Sequence, residues 1–134
     1  MKQQLFIVLL CFATTAIFAQ TPAVNEQLIG RWELCTPYGE IVKTPNVRQK
    51  IYTKNSYVVL EVNKETNTTV VDFIGTIVAE SENKITETPI YTNFQITNMI
   101  NINFSFNYKI EGDRLYLLGI DNNPFNEIWV RISD

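Results

Sequence analysis

Residues 101–110 read Asn-Ile-Asn-Phe-Ser-Phe-Asn-Tyr-Lys-Ile, and this stretch decides the fold class. Ile102, Phe104, Phe106, Tyr108 and Ile110 alternate strictly with Asn101, Asn103, Ser105, Asn107 and Lys109. A period of two with that contrast predicts a β-strand with one buried face and one wet face. Glu111-Gly112-Asp113 follows as a tight turn, and residues 114–120 return as Arg-Leu-Tyr-Leu-Leu-Gly-Ile, so the pair reads as a hairpin. Asp121-Asn122-Asn123-Pro124 breaks the chain again. The last strand, 127–132, sets Ile128, Val130 and Ile132 on one face and Glu127, Trp129 and Arg131 on the other.

Working back from the hairpin, the same logic places earlier strands at 28–35, 48–53, 56–62, 68–79 and 84–91. Their separators are turn formers: Thr36-Pro37-Tyr38-Gly39, Lys54-Asn55, the polar run 63–67 and Ser81-Glu82-Asn83. Gly75 lies inside a strand, where glycine marks a bulge or a sharp bend of the kind a small barrel needs at a corner. Residues 92–100 read as an irregular connection with one helical turn around 94–99, and 21–27 as a short N-terminal helical turn. About eight strands joined mostly by short turns predict an all-β domain, an eight-stranded antiparallel up-and-down barrel. A two-sheet sandwich is the other closure that the periodicity allows; the turn spacing favours the barrel.

The first nineteen residues carry a different pattern. Lys2 precedes the apolar run 5–13, and Ala16-Ile17-Phe18-Ala19 offers a small-residue cleavage site, so 1–19 read as a secretory signal and 20–134 as the mature domain. The apolar run is shorter than the roughly 20 residues a membrane-spanning helix needs. Lipidation at Cys11 is disfavoured because Leu10, and not a small residue, precedes it. The expectation is an exported protein, periplasmic or secreted, with no membrane span once the leader is removed.

Charge and composition narrow the function. The chain has 11 basic and 14 acidic residues, a net charge of −3, and loss of Lys2 with the leader makes the balance more acidic. With no basic run, nucleic acid is not an expected partner. There is no histidine, which removes the commonest general base and the commonest metal ligand. Cys11 leaves with the leader, so Cys35 stands alone and reads as a small buried residue of a strand. No metal or cofactor is expected: the five glycines are too widely spaced for a phosphate loop, and no serine lies in a nucleophile-elbow context.

Two short elements meet at the ends of the domain. Gly30-Arg31-Trp32 opens the first strand within Leu28-Ile29-Gly30-Arg31-Trp32-Glu33-Leu34, and Glu127-Ile128-Trp129-Val130-Arg131 closes the last. Together with the stretches 84–87 and 108–116, this pairing resembles the lipocalin-like, or calycin, barrels. It is most similar to small secreted bacterial lipocalin-like domains of unknown function. The resemblance implies that first and last strands are neighbours, that Trp32 plugs the closed end, and that Arg131 lies across its indole. On that footing Gly30, Trp32 and Arg131 are structural, held by a cation–π contact of roughly 0.5–2 kcal/mol.

The resemblance also implies a ligand inside the barrel, a small apolar or amphipathic molecule. Candidate interior residues are Leu60, Val71, Phe73, Phe104, Phe106, Tyr108 and Leu117, with Tyr108 or Tyr116 to orient a polar head. The same side chains could simply fill a core. In that case the protein would be an interaction module of the cell envelope, presenting Tyr38, Tyr57 and Phe125 to an unidentified protein partner. A catalytic role is not expected; the most remote alternative is a carboxylate-based hydrolase using residues such as Glu61, Asp72 and Glu87.

Overall fold

Every strand finds a partner on both sides. In the computed structural model, which describes residue 20 and residues 22–95 and 97–133, β1 (Gly30–Leu34) pairs with β2 (Asn46–Tyr52), and the series continues through β3 (Ser56–Asn63), β4 (Thr68–Ser81), β5 (Lys84–Thr92), β6 (Phe104–Glu111), β7 (Arg114–Ile120) and β8 (Asn126–Arg131). All neighbours are antiparallel, and β8 returns to pair with β1 through Trp32–Arg131, Glu33–Val130 and Leu34–Trp129. The result is a closed eight-stranded up-and-down barrel. Closure leaves no unpaired sheet edge to attract other chains. The expected leader, 1–19, lies outside the described residues.

Hairpin chemistry explains the tight corners. Glu111 pairs with Arg114 across a two-residue turn in which Gly112 takes φ +60°. Asn67 accepts the same left-handed backbone before β4, at φ 58°. The hairpin that decided the fold is shorter than the alternation suggested. β6 begins at Phe104, Asn101 turns the backbone at φ 61°, and Ile102 is 49% exposed. The alternation therefore runs past the point at which the chain joins the sheet. Upstream, the single turn Thr97–Met99 is the one helical element among the described residues. At the N-terminus, Leu28 N–H donates to Asn25 O and Ile29 N–H to Glu26 O, which makes one turn and no more.

One end of the barrel is filled. Val24 and Leu28 cap it from the N-terminal segment, and Trp32, Tyr52, Ile77, Ala79, Ile85, Tyr108, Leu115 and Leu117 pack beneath as one apolar cluster. The Arg131 guanidinium carbon stands 4.1 Å from the Trp32 ring centre, and Trp32 Nε1 donates to Leu28 O at 2.9 Å. Arg131 also donates to the Ile29 and Gln27 carbonyls, tying the last strand to the capping turn. Gly30 sits at φ +137°, and a Cβ there would stand 2.8 Å from Arg131 Nη1. A side chain at position 30 would be strained and would push the guanidinium off the indole.

Candidate functional site

The opposite end is built differently. Strands β2 and β8 project Arg48, Lys50, Glu127 and Trp129 inward, because residues two apart share a face. β5 adds Glu87 and Pro89, and β6 adds Phe104 and Phe106. Val59 and Tyr57 come from β3, and Phe73 from β4. These side chains, with Thr92 at the end of β5 and Phe94, Met99 and Phe125 from the connections above, surround a cavity of about 310 Å³. That is the small end of the roughly 300–1,000 Å³ typical of ligand sites.

The mouth is aromatic. Phe73 packs on Phe94 with ring centres 5.5 Å apart, and Phe104 on Phe125 at 5.8 Å. Phe125 is set by its own loop: buried Asn123 donates from Nδ2 to Ser105 O at 2.9 Å and accepts from Phe125 N–H at 3.1 Å. Gly119 lets that loop close, since a Cβ there would meet Asn123 O at 2.3 Å. At the rim, Arg48 donates to Asp72 Oδ2 at 3.1 Å. Asp72 is nearly fully buried, and its carbonyl accepts from Asn93 N–H at 3.0 Å, which ties the rim loop to β4.

The floor of the cavity is charged. Lys50 Nζ donates to both oxygens of Glu87, at 3.0 and 3.2 Å, and to Glu127 Oε2 at 3.2 Å. The Tyr52 hydroxyl donates to Glu87 Oε1, and Trp129 Nε1 donates to Glu127 Oε2 at 2.9 Å. Aromatic faces surround the ammonium: the ring centres of Trp129, Tyr52, Phe106 and Tyr57 lie 4.8, 5.5, 5.7 and 5.8 Å away. Each lies within cation–π range. Two carboxylates therefore share one ammonium inside the barrel.

Burial and charge act against each other here. Burial alone would push the Lys50 ammonium down, but the Glu127 and Glu87 carboxylates outweigh it and hold the pKa above the ordinary lysine value. Burial raises the Glu87 carboxyl; Lys50 opposes that rise, and the Glu127 charge adds to it. Burial, then Glu87, lifts the Tyr52 and Tyr57 phenols, so both stay protonated and neutral. Among the described residues, no three His, Cys, Asp or Glu side chains converge where a metal ion could be held. Cys35 accepts from Arg114 Nη1 at 3.0 Å, and burial raises its thiol, the opposite of what a nucleophile requires.

The sequence-derived candidates divide into three groups. Phe73, Phe104 and Phe106 line the cavity. Tyr108 and Leu117 are buried deeper, in the apolar cluster, and the Tyr108 hydroxyl donates to Glu82 O at 2.8 Å, away from the cavity. Leu60 and Val71 face each other across β3 and β4 on the other side of the sheet from Val59 and Phe73, and do not reach the cavity. Tyr57, expected beside a loop, is 3% exposed and forms part of the wall, because β3 turns it inward. The polar floor is not among the expected binding residues: Glu87 enters only with Glu61 and Asp72 as a carboxylate of the remote hydrolase alternative, and Lys50, Arg48 and Glu127 are not among the candidates. The available signal was phase: Glu127, Trp129 and Arg131 share one face of β8, so an Arg131 that covers Trp32 carries Glu127 inside as well.

Fold and site together define a class: a closed eight-stranded β-barrel, filled at one end and hollow at the other, with an aromatic mouth over a charged floor. No protein-family model matches the chain, and no curated protein is significantly similar to it.

Proposed function

We propose that this protein is an exported, lipocalin-like binding protein that takes one small amphipathic molecule into the hollow end of its barrel. The cavity of about 310 Å³, with aromatic walls and polar groups confined to floor and rim, carries the proposal. Apolar surface removed from water contributes on the order of 25 cal/mol per Å², so the walls supply affinity and the polar groups supply orientation. The residues expected to act are Phe73, Phe94, Phe104, Phe106 and Phe125 on the walls, with Arg48 and Glu127 meeting polar atoms. Gly30, Trp32 and Arg131 hold the closed end and take no part in contact.

The alternative of a surface interaction module expects a filled interior. This barrel is filled at one end and hollow at the other, and Tyr57 is withdrawn from the surface that such a module would present. Binding without catalysis is the reading, since Glu87 has both oxygens engaged and Asp72 is paired with Arg48, which leaves Glu127 without a second free carboxylate among the described residues of the cavity. Native mass spectrometry of the protein taken from cell-envelope material, before and after solvent extraction, tests it. The expected result is a discrete mass lost on extraction and recovered as a small molecule. A protein that carries nothing from its source and gains no mass from any amphiphile added afterwards would overturn it.

A further inference from the structure

We propose that the molecule held in the cavity carries a cationic nitrogen, seated on the Glu127 carboxylate at the cavity floor. The inference rests on the binding reading above and adds the sign of the ligand's charge. Hydrogen-bond accounting leads to it. Lys50 has three N–H groups, and they are directed to Glu87 Oε1, Glu87 Oε2 and Glu127 Oε2. It has no donor left for an incoming anion. Glu87 takes two of those bonds and the Tyr52 hydroxyl, so both of its oxygens are engaged. Glu127 differs. Both of its contacts fall on Oε2, and Oε1 takes no hydrogen bond from a described side chain. Its side chain is 26% exposed, against 7% for Glu87 and 4% for Lys50, and Glu127 lines the cavity. What the floor offers a ligand is a partly exposed carboxylate whose Oε1 no described side chain has taken.

The surroundings agree. Trp129, Tyr57 and Phe106 present ring faces around the floor, and these faces already hold the Lys50 ammonium within 6 Å. A second cation on Glu127 would share the same aromatic environment. An amphiphile lying tail-inward would instead put hydrocarbon against Glu127 and strip water from a carboxylate without replacing it. An anionic head would find Arg48, which is 41% exposed and gives Asp72 one bond, only at the rim, and its tail would then lie against the Glu127 carboxylate. A cationic head placed inward, with its apolar tail toward Phe94 and Phe125, satisfies both ends.

Three probes of one length separate the outcomes: octylamine, octan-1-ol and octanoate at pH 7, titrated against the full mature domain by tryptophan fluorescence, since Trp129 forms part of the wall. Octylamine should bind at least about tenfold more tightly than octanol, as a charge-assisted bond in place of a neutral one implies, and octanoate should be weakest. In Glu127→Gln, verified as folded by near-ultraviolet circular dichroism, the amine-to-alcohol affinity ratio should fall to near one. Octanol or octanoate binding as tightly as the amine would overturn the charge inference and leave the binding reading standing. An undiminished amine preference in Glu127→Gln would overturn the assignment of Glu127. Absence of saturable binding for all three would overturn both readings.

Discussion

Three N–H groups of Lys50 are divided between Glu87 and Glu127 inside the barrel, so no member of that trio can be judged alone. Removing one partner of a buried ion pair strands the others without water, whereas the intact set is close to neutral in net stability. Glu87 makes this measurable. Burial is the largest influence on its carboxyl and leaves the pKa above the ordinary 4.5. The folded state then holds that proton more tightly than the unfolded chain does. Its contribution to stability is fully present below pH 4.5 and is lost as pH rises through the raised value. Glutamine at the same position cannot titrate. Urea unfolding of the wild type and Glu87→Gln between pH 4 and pH 8 should therefore show the wild type losing ground to the variant as pH rises. The loss is about 1.4 kcal/mol for each pH unit between the two pKa values. A gap that widened in favour of the wild type would mean that Lys50, not burial, dominates the site.

Among the elements, β4 gives the cavity one wall residue, Phe73, and its irregular pairing sets the wall on either side. Its pairing slips at two places that matter for the site, against Val59/Leu60 of β3 and at Ile74/Gly75 against β5. At the second slip, a Cβ on Gly75 would meet Thr88 O at 2.4 Å and the Tyr57 ring at 2.5 Å. The glycine is there because a backbone and an aromatic ring both need the space. Gly75→Ala should cost about 1–3 kcal/mol, the usual range for overpacking, and should displace Tyr57 from the cavity wall. Chemical denaturation reads the first effect, and lowered affinity for an octyl probe the second. The first slip explains why part of the site could not be read in advance. β4 follows a simple alternation from Ala79 through Ile77, Gly75 and Phe73, which would carry Val71 inward as well. Instead Asp72 is the extra residue of the bulge, and it takes the buried place against Arg48. Leu60 misled for another reason: Tyr57-Val58-Val59-Leu60 is apolar throughout, so the strand has no contrast from which to choose a face. In β6 the contrast is strong, and there Phe104, Phe106 and Tyr108 point inward as the alternation says, whereas β8 turns Glu127, Trp129 and Arg131 inward and not its apolar face of Ile128 and Val130. Lys50 and Glu127 were hidden by a different limit. Charged residues on a strand read as solvent-facing, and the bond that buries this pair joins positions 77 residues apart. Local periodicity holds no record of such a pairing.

Viewed as a whole, the barrel assigns opposite tasks to its two ends, and that division can be tested without knowing the natural ligand. At the closed end, Leu28, Trp32 and Leu115 are fully buried and Arg131 ties the last strand to the capping turn, so a ligand has nothing to add there. At the open end, Phe94 and Phe125 are 39% and 44% exposed, and connections outside the sheet carry both. Apolar groups in that position gain most when a tail lies against them. A ligand that binds only the folded state stabilises it by mass action, about 2.7 kcal/mol at a hundred times its Kd. The tightest-binding octyl probe at that concentration should raise the unfolding free energy by this amount. Amide hydrogen exchange in the same sample should slow in residues 93–95, 98–103 and 121–125, and should stay unchanged by local opening in residues 24–32. Stabilisation with slowing confined to residues 24–32 would place the ligand at the closed end and remove the cavity from the account. Slowing at the mouth would tie the gain in stability to the aromatic rim, because Phe94, Met99 and Phe125 from those loops line the cavity above its charged floor.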